Sequence, residues 1–160
     1  MDPRDTALID TIYLHHSKSA WGTLKDITAW HIERGFDTCG YNRVICNAYP
    51  TYKTLFSNTP NMYSDGKVEM GRPDDVVPAG VKGENTHSVH ICIIGVDQFT
   101  GSQVRSVKNE INDYIQKYPN IKYIKRHSDD DPKKPDCPGL SDAFMRHLKA
   151  EAYNFIGPRA

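Results

Sequence analysis

The stretch that decides the fold is residues 88–126, SVHICIIGVDQFTGSQVRSVKNEINDYIQKYPNIKYIKR. Residues 88–95 are apolar almost throughout, which predicts a central strand buried on both faces. Residues 102–118 carry apolar side chains at helical spacing up to Pro119, which predicts an amphipathic helix. Residues 121–126 alternate as a strand does. A strand, a helix and a second strand in this order predict a right-handed crossover into a parallel pair, so the sequence indicates an α/β fold.

Upstream of this unit the sequence predicts two further strands and a helix. Residues 7–14 form a short apolar run that leads into His15, which indicates a buried strand whose end opens into a cleft. Residues 23–35 begin with a capping pair and end in glycine, which predicts an amphipathic helix of about three turns. Residues 41–46 predict the second strand. A ligand at His15 would therefore sit on a rigid element.

The remaining segments predict a long insertion, a hairpin and a last helix. Residues 47–64 show no periodicity, and Asp65-Gly66 then predicts a tight turn between two strands within residues 64–72. Ser141 predicts the start of the last helix. The inner face of that helix would carry Phe144, Leu148 and Tyr153. Together these elements predict a mixed central β-sheet flanked by helices.

Length and composition favour one domain and exclude some partners. A chain of 160 residues is long enough for one domain with a real core, so residues 1–160 are predicted to form a single domain. The 20 Lys and Arg residues balance 20 Asp and Glu residues, which argues against nucleic acid as a partner. The chain has no apolar run of the roughly 18 residues that a membrane span needs and no signal-type apolar segment. We therefore expect a monomer that is made in the cytoplasm and does not insert into membranes.

The four cysteines are expected to differ in role. The lack of an export signal favours free thiols, although Cys39 and Cys46 could pair in an oxidising compartment. Cys92 lies inside the apolar run and is interpreted as a small buried hydrophobic residue. Cys137, held between two prolines, is the cysteine that looks like a metal ligand.

Residues 126–140 hold more chemistry than an ordinary connection, because they combine a histidine, two lysines and a cysteine. A hydrolytic zinc site needs about three protein ligands and one open position for water. His15, His127 and Cys137 would supply that set, since both histidines lie at predicted strand ends and the prolines would fix the loop that returns the thiolate. Such a set would hold one Zn²⁺ per chain in a cleft at the strand ends, but spacing alone does not prove it, because the three residues are distant in sequence.

Six motifs also occur in a characteristic order. They are IYLHHS at 12–17, WH and GF within 30–36, GYN at 40–42, DGKVEMGR at 65–72, KGENTHSV at 82–89, and the segment 127–138. In this order they resemble the zinc-dependent N-acetylmuramoyl-L-alanine amidases, and within that family the phage lysozyme-type amidases, relatives of the peptidoglycan recognition proteins. Each motif alone is weak, but six in order, over about residues 8–145, make the resemblance specific.

The resemblance implies which residues form the site. The implied metal ligands are His15, His127 and Cys137. The tyrosine of the family's Gly-Tyr motif corresponds to Tyr41. The family's last loop has a lysine after a proline, and counting from the second histidine ligand puts this lysine at Lys133. Two extra residues before the cysteine ligand leave Lys134 as an alternative.

The chain departs from the family pattern at two further places. Gly80 stands where related amidases often have a histidine. The insertion at residues 47–64 is longer than expected. Both departures are expected to bear on substrate binding more than on the metal.

The resemblance also implies a reaction, the hydrolysis of the amide between the muramic lactyl group and L-alanine in bacterial peptidoglycan. Zinc would lower the pKa of a bound water and polarise the carbonyl group. Lys133 would stabilise the oxyanion. Tyr41 would orient or deprotonate the water, and orientation is favoured because an ordinary tyrosine pKa is about 10. Asp129 is expected to accept a hydrogen bond from a ligand imidazole.

These residues indicate a phage endolysin that accumulates in the host cytoplasm and acts on the periplasmic cell wall after release. The alternatives are a non-catalytic peptidoglycan-binding module, an amidase toxin delivered between bacteria, and a protein that also regulates a phage or host partner. His16 alternates to the face opposite His15 and is interpreted as a packing or hydrogen-bonding residue. The same structural interpretation applies to His31, His87, His90 and His147.

Overall fold

Five strands in one mixed sheet form the centre of the fold. The structure is a computed structural model that describes the backbone of residues 1–156 and the side chains of residues 1–152. The strands are β1 (Thr11–His16), β2 (Arg43–Ile45), β3 (Val68–Met70), β4 (Ser88–Ile93) and β5 (Tyr123–Arg126). They lie in the order β3-β2-β4-β1-β5, so β4 is central, as its apolar sequence predicted.

The strands β1, β2, β4 and β5 run parallel. β4 pairs with β1 on one side and with β2 on the other, and β1 also pairs with β5. The predicted parallel direction of β4 and β5 is confirmed, but β1 lies between them, so they are not a hydrogen-bonded pair. The carboxyl ends of parallel strands meet at one edge of a sheet, which is where such folds place their functional groups.

The first strand begins later than the sequence predicted. Residues 7–14 were expected to be a strand, but Thr6–Leu8 form a 3-10 helix and β1 runs from Thr11 to His16. Asp5 caps the 3-10 helix, because its side chain accepts a hydrogen bond from the backbone N–H of Ala7 at 2.9 Å. His15 therefore lies within the strand, one residue before its end.

The predicted hairpin in residues 64–72 is wrong, because β3 pairs antiparallel with β2. The predicted turn does form, but it folds back on the end of β2. The backbone N–H of Gly66 donates to the carbonyl oxygen of Cys46 at 2.8 Å. The turn signal is local, whereas the partner strand lies on the other side of the 47–64 segment, which contains α2 (Tyr52–Phe56).

Helices cover both faces of the sheet. The longer ones are α1 (Leu24–Glu33), α3 (Gly101–Lys117) and α5 (Asp142–Ile156), and one turn, α4 (His127–Asp130), follows β5. On one face Ile27 of α1 joins a small cluster with Val44 and Cys92. On the other face α3 and α5 pack on the larger apolar core. The predicted fold class, an α/β domain with a mixed central sheet flanked by helices, is confirmed.

The helix signals in the sequence correspond to contacts in the structure. At α1 the Asp26 carboxylate accepts from the backbone N–H of Thr23 at 2.9 Å, and at α5 the Ser141 hydroxyl accepts from the N–H of Phe144 at 3.1 Å. The stripe on α3 is buried, and each such aliphatic side chain contributes about 1.5–3 kcal/mol. Leu148 is buried as predicted. The side chain of Tyr153 lies outside the described residues.

The four cysteines are all buried and carry free thiols. The thiol of Cys46 lies 3.0 Å from a carboxylate oxygen of Glu69, and that of Cys39 lies 3.6 Å from the carbonyl oxygen of Tyr41. Within the part of the chain that the structure describes, no helix is long and apolar enough to cross a membrane.

Candidate metal centre

Three buried side chains converge at the carboxyl edge of the parallel strands. His15 lies in β1, His127 opens α4 directly after β5, and Cys137 lies in the loop that follows. Their potential ligand atoms all lie within 4.8 Å of one another. The structure thus brings together the three predicted metal ligands, although His15 and Cys137 are 122 positions apart.

The geometry and chemistry of these side chains fit a zinc ion. The imidazole rings of His15 and His127 have centroids 4.8 Å apart at an interplanar angle of 63°. The Cys137 sulfur lies 3.9 Å from Nδ1 of His15. Two imidazole nitrogens and one sulfur are donors that zinc prefers, and catalytic zinc sites use three protein ligands plus one open position.

Burial sets the protonation of these groups. It lowers the pKa of His15 well below its ordinary value, and the neighbouring histidines lower it further. Burial also lowers the pKa of His127, although a hydrogen bond to Asp131 opposes the shift. Burial raises the pKa of the Cys137 thiol to about 11. Both imidazoles are therefore neutral near pH 7, as metal ligands must be, and metal binding would displace the thiol proton.

Tyr41 lies beside this centre on the loop before β2. Its ring centroid is 4.8 Å from that of His15 and 5.0 Å from that of His31. The loop is held because His31 Nδ1 accepts from the backbone N–H of Gly40 at 2.8 Å. A Cβ on Gly40 would lie 2.2 Å from the carbonyl oxygen of Ala79, so only glycine fits there. Burial raises the pKa of Tyr41 well above its ordinary value, which keeps the phenol protonated.

The two candidate lysines are both exposed in the loop before Cys137. Burial is the main influence on the pKa values of His127 and Cys137, but the charge of Lys134 adds to it at His127 and opposes it at Cys137. Lys133 makes a different contact: its backbone N–H donates to the Asp131 carboxylate at 3.0 Å. The positive charge of Lys134 therefore acts on two of the three residues of the centre. Lys134 is the lysine that the sequence offered as an alternative to Lys133.

The predicted acceptor for a ligand imidazole is wrong in position. The Asp129 carboxylate accepts instead from Arg126, from its backbone N–H at 2.8 Å and from its guanidinium at 3.1–3.2 Å. Asp131 takes the predicted place, since its carboxylate lies 3.2 Å from Nε2 of His127. Asp131 directly follows the single turn α4, so it lies at position i+4 on the same side as His127, whereas Asp129 at position i+2 faces away.

His90, which the sequence analysis interpreted as a structural histidine, lies next to the centre. Its Nδ1 lies 2.7 Å from Nε2 of His15. The alternation of β4 puts His90 on the same face as Cys92, which is the register partner of His15. That register depends on the pairing of β1 with β4, which the sequence of either strand alone does not give. His16 points the other way, and its Nδ1 contacts the carbonyl oxygen of Val96.

Comparisons with known proteins give relatives of one kind. No model of a known protein family matches the chain. The endolysin of Enterobacteria phage K11 is 30% identical over 125 residues, which cover 73% of this chain and 70% of the relative. The endolysin of Escherichia phage T7 is 26% identical over 142 residues, covering 82% and 81%.

Solved structures share the fold over most of the chain. The N-acetylmuramoyl-L-alanine amidase LysC from Clostridium intestinale URNW superposes with a TM-score of 0.73 at 25% identity, covering 93% of this chain and 89% of that one. A structure of the Drosophila peptidoglycan recognition protein SD gives a TM-score of 0.69 at 16% identity, covering 91% and 83%, a likeness that concerns the fold alone.

The sheet, its flanking helices and the His-His-Cys cluster at the strand ends define the class of the N-acetylmuramoyl-L-alanine amidases, as the order of the motifs indicated. Within this class the chain belongs to the phage endolysin family.

Proposed function

We propose that this endolysin uses one Zn²⁺, held by His15, His127 and Cys137, to hydrolyse the amide between the muramic lactyl group and L-alanine of bacterial peptidoglycan. The observation that supports it most is the convergence of three buried donor atoms within 4.8 Å at the edge where parallel strands end. When bound, zinc would activate a water and polarise the scissile carbonyl group. The amidase structures that share the fold support the same reaction.

The protein groups around the centre have separate tasks in this proposal. The neutral imidazoles of His15 and His127 present lone pairs, and Asp131 holds the ring of His127 through its contact of 3.2 Å. The protonated phenol of Tyr41 can donate a hydrogen bond, so we assign it to orienting water or the substrate carbonyl rather than to removing a proton.

A lysine ammonium would balance the negative charge that develops on the carbonyl oxygen. Lys133 is the residue that counting along the sequence selects. The influence of Lys134 on both His127 and Cys137 supports the second lysine. Their exposure leaves either side chain free to approach a bound substrate, and only a comparison of the two variants separates them.

The decisive test is metal content together with wall clearing. Purified protein should carry one zinc per chain and clear peptidoglycan in a zymogram, and a chelator should stop the clearing. His127→Ala should lose both properties. His147→Ala is the matched control, because His147 is exposed on α5 and should leave both unchanged. Clearing by zinc-free protein would contradict the metal mechanism, and wall binding without clearing would favour a recognition module instead.

We also propose that the chain acts as a monomer, accumulates in the host cytoplasm and reaches the periplasmic wall after release. The endolysin relatives support action on the cell wall, whereas the monomeric state and the site of accumulation rest on the sequence. Size-exclusion chromatography of the purified protein and fractionation of infected cells before lysis test it. A stable dimer, or export of the chain before lysis, would contradict it.

A further inference from the structure

A chain of hydrogen bonds leads away from the candidate metal centre into the sheet. Nε2 of His15 lies 2.7 Å from Nδ1 of His90. Nε2 of His90 lies 2.9 Å from the hydroxyl oxygen of Ser88, and this hydroxyl lies 2.6 Å from the carbonyl oxygen of Glu84. His15, His90 and Ser88 are all fully buried, so solvent does not compete for these contacts.

The protons in this chain can be assigned from its far end. A carbonyl oxygen only accepts, so the single hydroxyl proton of Ser88 points to Glu84. The Ser88 oxygen then accepts from Nε2–H of His90. The His90 ring is fully buried, and its two nitrogens contact an imidazole and a hydroxyl rather than a carboxylate, so the ring is neutral and has one N–H. Its Nδ1 must therefore accept, and the donor is Nε2–H of His15.

This assignment also determines the state of Nδ1, the other ring nitrogen of His15. With its proton on Nε2, the ring presents an unprotonated Nδ1, and this is the nitrogen that lies 3.9 Å from the Cys137 sulfur. The opposite arrangement, with the proton on Nδ1, would block the lone pair that a metal needs.

His90 is itself held through both its ring and its backbone. The ring of Tyr13 stacks on it with centroids 5.3 Å apart and an interplanar angle of 9°. The backbone N–H of His90 donates to the side-chain oxygen of Asn42 at 2.8 Å. On the remaining side a Cβ on Gly80 would lie 2.3 Å from His90 Nδ1. Because Gly80 has no side chain, it leaves the space that the His90 ring occupies. Related amidases often carry a histidine at the position of Gly80.

We propose that His90 is a positioning residue of the metal centre. Together with Ser88 it fixes the tautomer and ring orientation of His15, and Gly80 provides the space that this arrangement requires. This inference rests on the proposed zinc function. The proposal also gives Gly80 a role at the metal centre, whereas the sequence analysis linked this residue to substrate binding. Outer hydrogen-bond partners of metal ligands typically change metal affinity by about 10–100-fold.

The first experiment measures zinc affinity by competition with a chromogenic chelator. His90→Leu fills much of the space but cannot accept a hydrogen bond, so zinc affinity should fall about 10–100-fold. His90→Asn can place an oxygen near the position of Nδ1 and should recover part of the loss. Gly80→Ala keeps His90 but displaces its ring, so it should lose affinity as well. His87→Leu is the control, because His87 contacts Asp10 and Glu84 rather than His15.

The second experiment determines which ring nitrogen of His15 carries the proton, and it needs no bound metal. In the full chain with ¹⁵N-labelled histidine, NMR of the metal-free protein should place the His15 proton on Nε2, and Ser88→Ala should shift it toward a mixture of tautomers. A His15 proton on Nδ1 in the wild type would overturn the inference.

The two experiments also separate this inference from the proposed function. Folded His90→Leu that binds zinc within about threefold of the wild type would overturn the positioning role, whatever the wild type hydrolyses. A wild type that binds no zinc would overturn the proposed function, and the tautomer measurement would still decide the hydrogen-bond chain. If His90→Leu does not fold, Gly80→Ala and Ser88→Ala carry the test.

Discussion

Both ends of the parallel strands bury polar side chains, but the two ends use them differently. At the amino end the Asp74 carboxylate accepts from the hydroxyls of Tyr114 and Tyr118 at 2.9 and 2.8 Å. The guanidinium of Arg43 adds contacts at 3.4 and 3.5 Å. At the carboxyl end the donor atoms of His15, His127 and Cys137 face one another within 4.8 Å.

The difference separates a structural cluster from a reactive one. Around Asp74 each acidic oxygen meets donors, so the charges are satisfied inside the protein. At the carboxyl end the groups that meet all have lone pairs or a displaceable proton, and burial keeps the imidazoles neutral. Such a set is satisfied by a cation from outside. Removing a group should therefore affect mainly stability at one end and mainly metal binding and activity at the other.

Asp74→Ala should give the largest effect on stability. It leaves the Arg43 charge and two tyrosine hydroxyls without their shared partner, and breaking a buried pair in this way costs about 3–5 kcal/mol. Urea unfolding measures the loss in the free energy of unfolding. Asp75→Ala, at the exposed neighbouring position, should stay within about 0.5 kcal/mol. Zinc affinity of folded Asp74→Ala should equal that of the wild type, and a parallel fall in zinc affinity would show that the two ends are coupled.

A lysine variant at the carboxyl end should lose activity without losing stability. We expect Lys134→Ala to lower kcat by about 10²–10³-fold, because removing one oxyanion donor typically costs about 2.7–4 kcal/mol. The reason for choosing Lys134 is its influence on His127 and Cys137. Steady-state hydrolysis of a soluble muropeptide measures the fall in kcat. A larger loss in Lys133→Ala would return the role to Lys133, and Lys122→Ala is the control for an exposed lysine at the other end.

Tyr41→Phe should have a smaller effect on the same reaction. An orienting hydroxyl contributes one hydrogen bond, so kcat should fall about tenfold, or about 1.4 kcal/mol, with zinc content unchanged. Tyr123→Phe, at an exposed position on β5, serves as the control. A loss of about 10²–10⁴-fold would instead indicate that Tyr41 acts as a general base, which the raised pKa of its phenol argues against.

Elements that depend on local patterns in the sequence were predicted correctly, whereas pairing between distant segments was not. The α3 stripe, the α1 cap and the apolar β4 are local patterns, and the structure confirms them. The Asp65-Gly66 turn was also local, but its partner strand was not, so the predicted hairpin failed. The lesson is that local chemistry predicted elements, while pairing across long connections had to come from the structure.

The candidate site shows the same division. The order of motifs identified His15, His127 and Cys137 as a set, although spacing alone could not, and the structure brings them together. The supporting residues were harder to predict. Asp131 rather than Asp129 contacts His127, the proposed ligand, because one turn of helix begins at His127. His90 depends on the register between two strands, which no single segment encodes.

The smallest expected effect lies at the amino end and depends on pH. Partial burial works against the charge of His87, but hydrogen bonds to Asp10 and Glu84 outweigh it and raise its pKa above the ordinary 6.5. A raised pKa in the folded state means that the charged histidine stabilises the protein below about pH 6.5, and that this contribution is lost as the pH rises through the folded pKa.

His87→Gln should therefore lower the free energy of unfolding more at pH 6 than at pH 8.5. The difference should stay below about 1 kcal/mol, because these side chains are partly exposed and solvent screens the pairs. Urea unfolding of both proteins at the two pH values measures it, and high salt should shrink the difference. The buried imidazoles of His15 and His90, whose pKa values are lowered, make both proteins less stable at pH 6 than at pH 8.5, and this equal contribution cancels when the two proteins are compared. An equal difference at both pH values would show that His87 stabilises the amino end by packing rather than by charge.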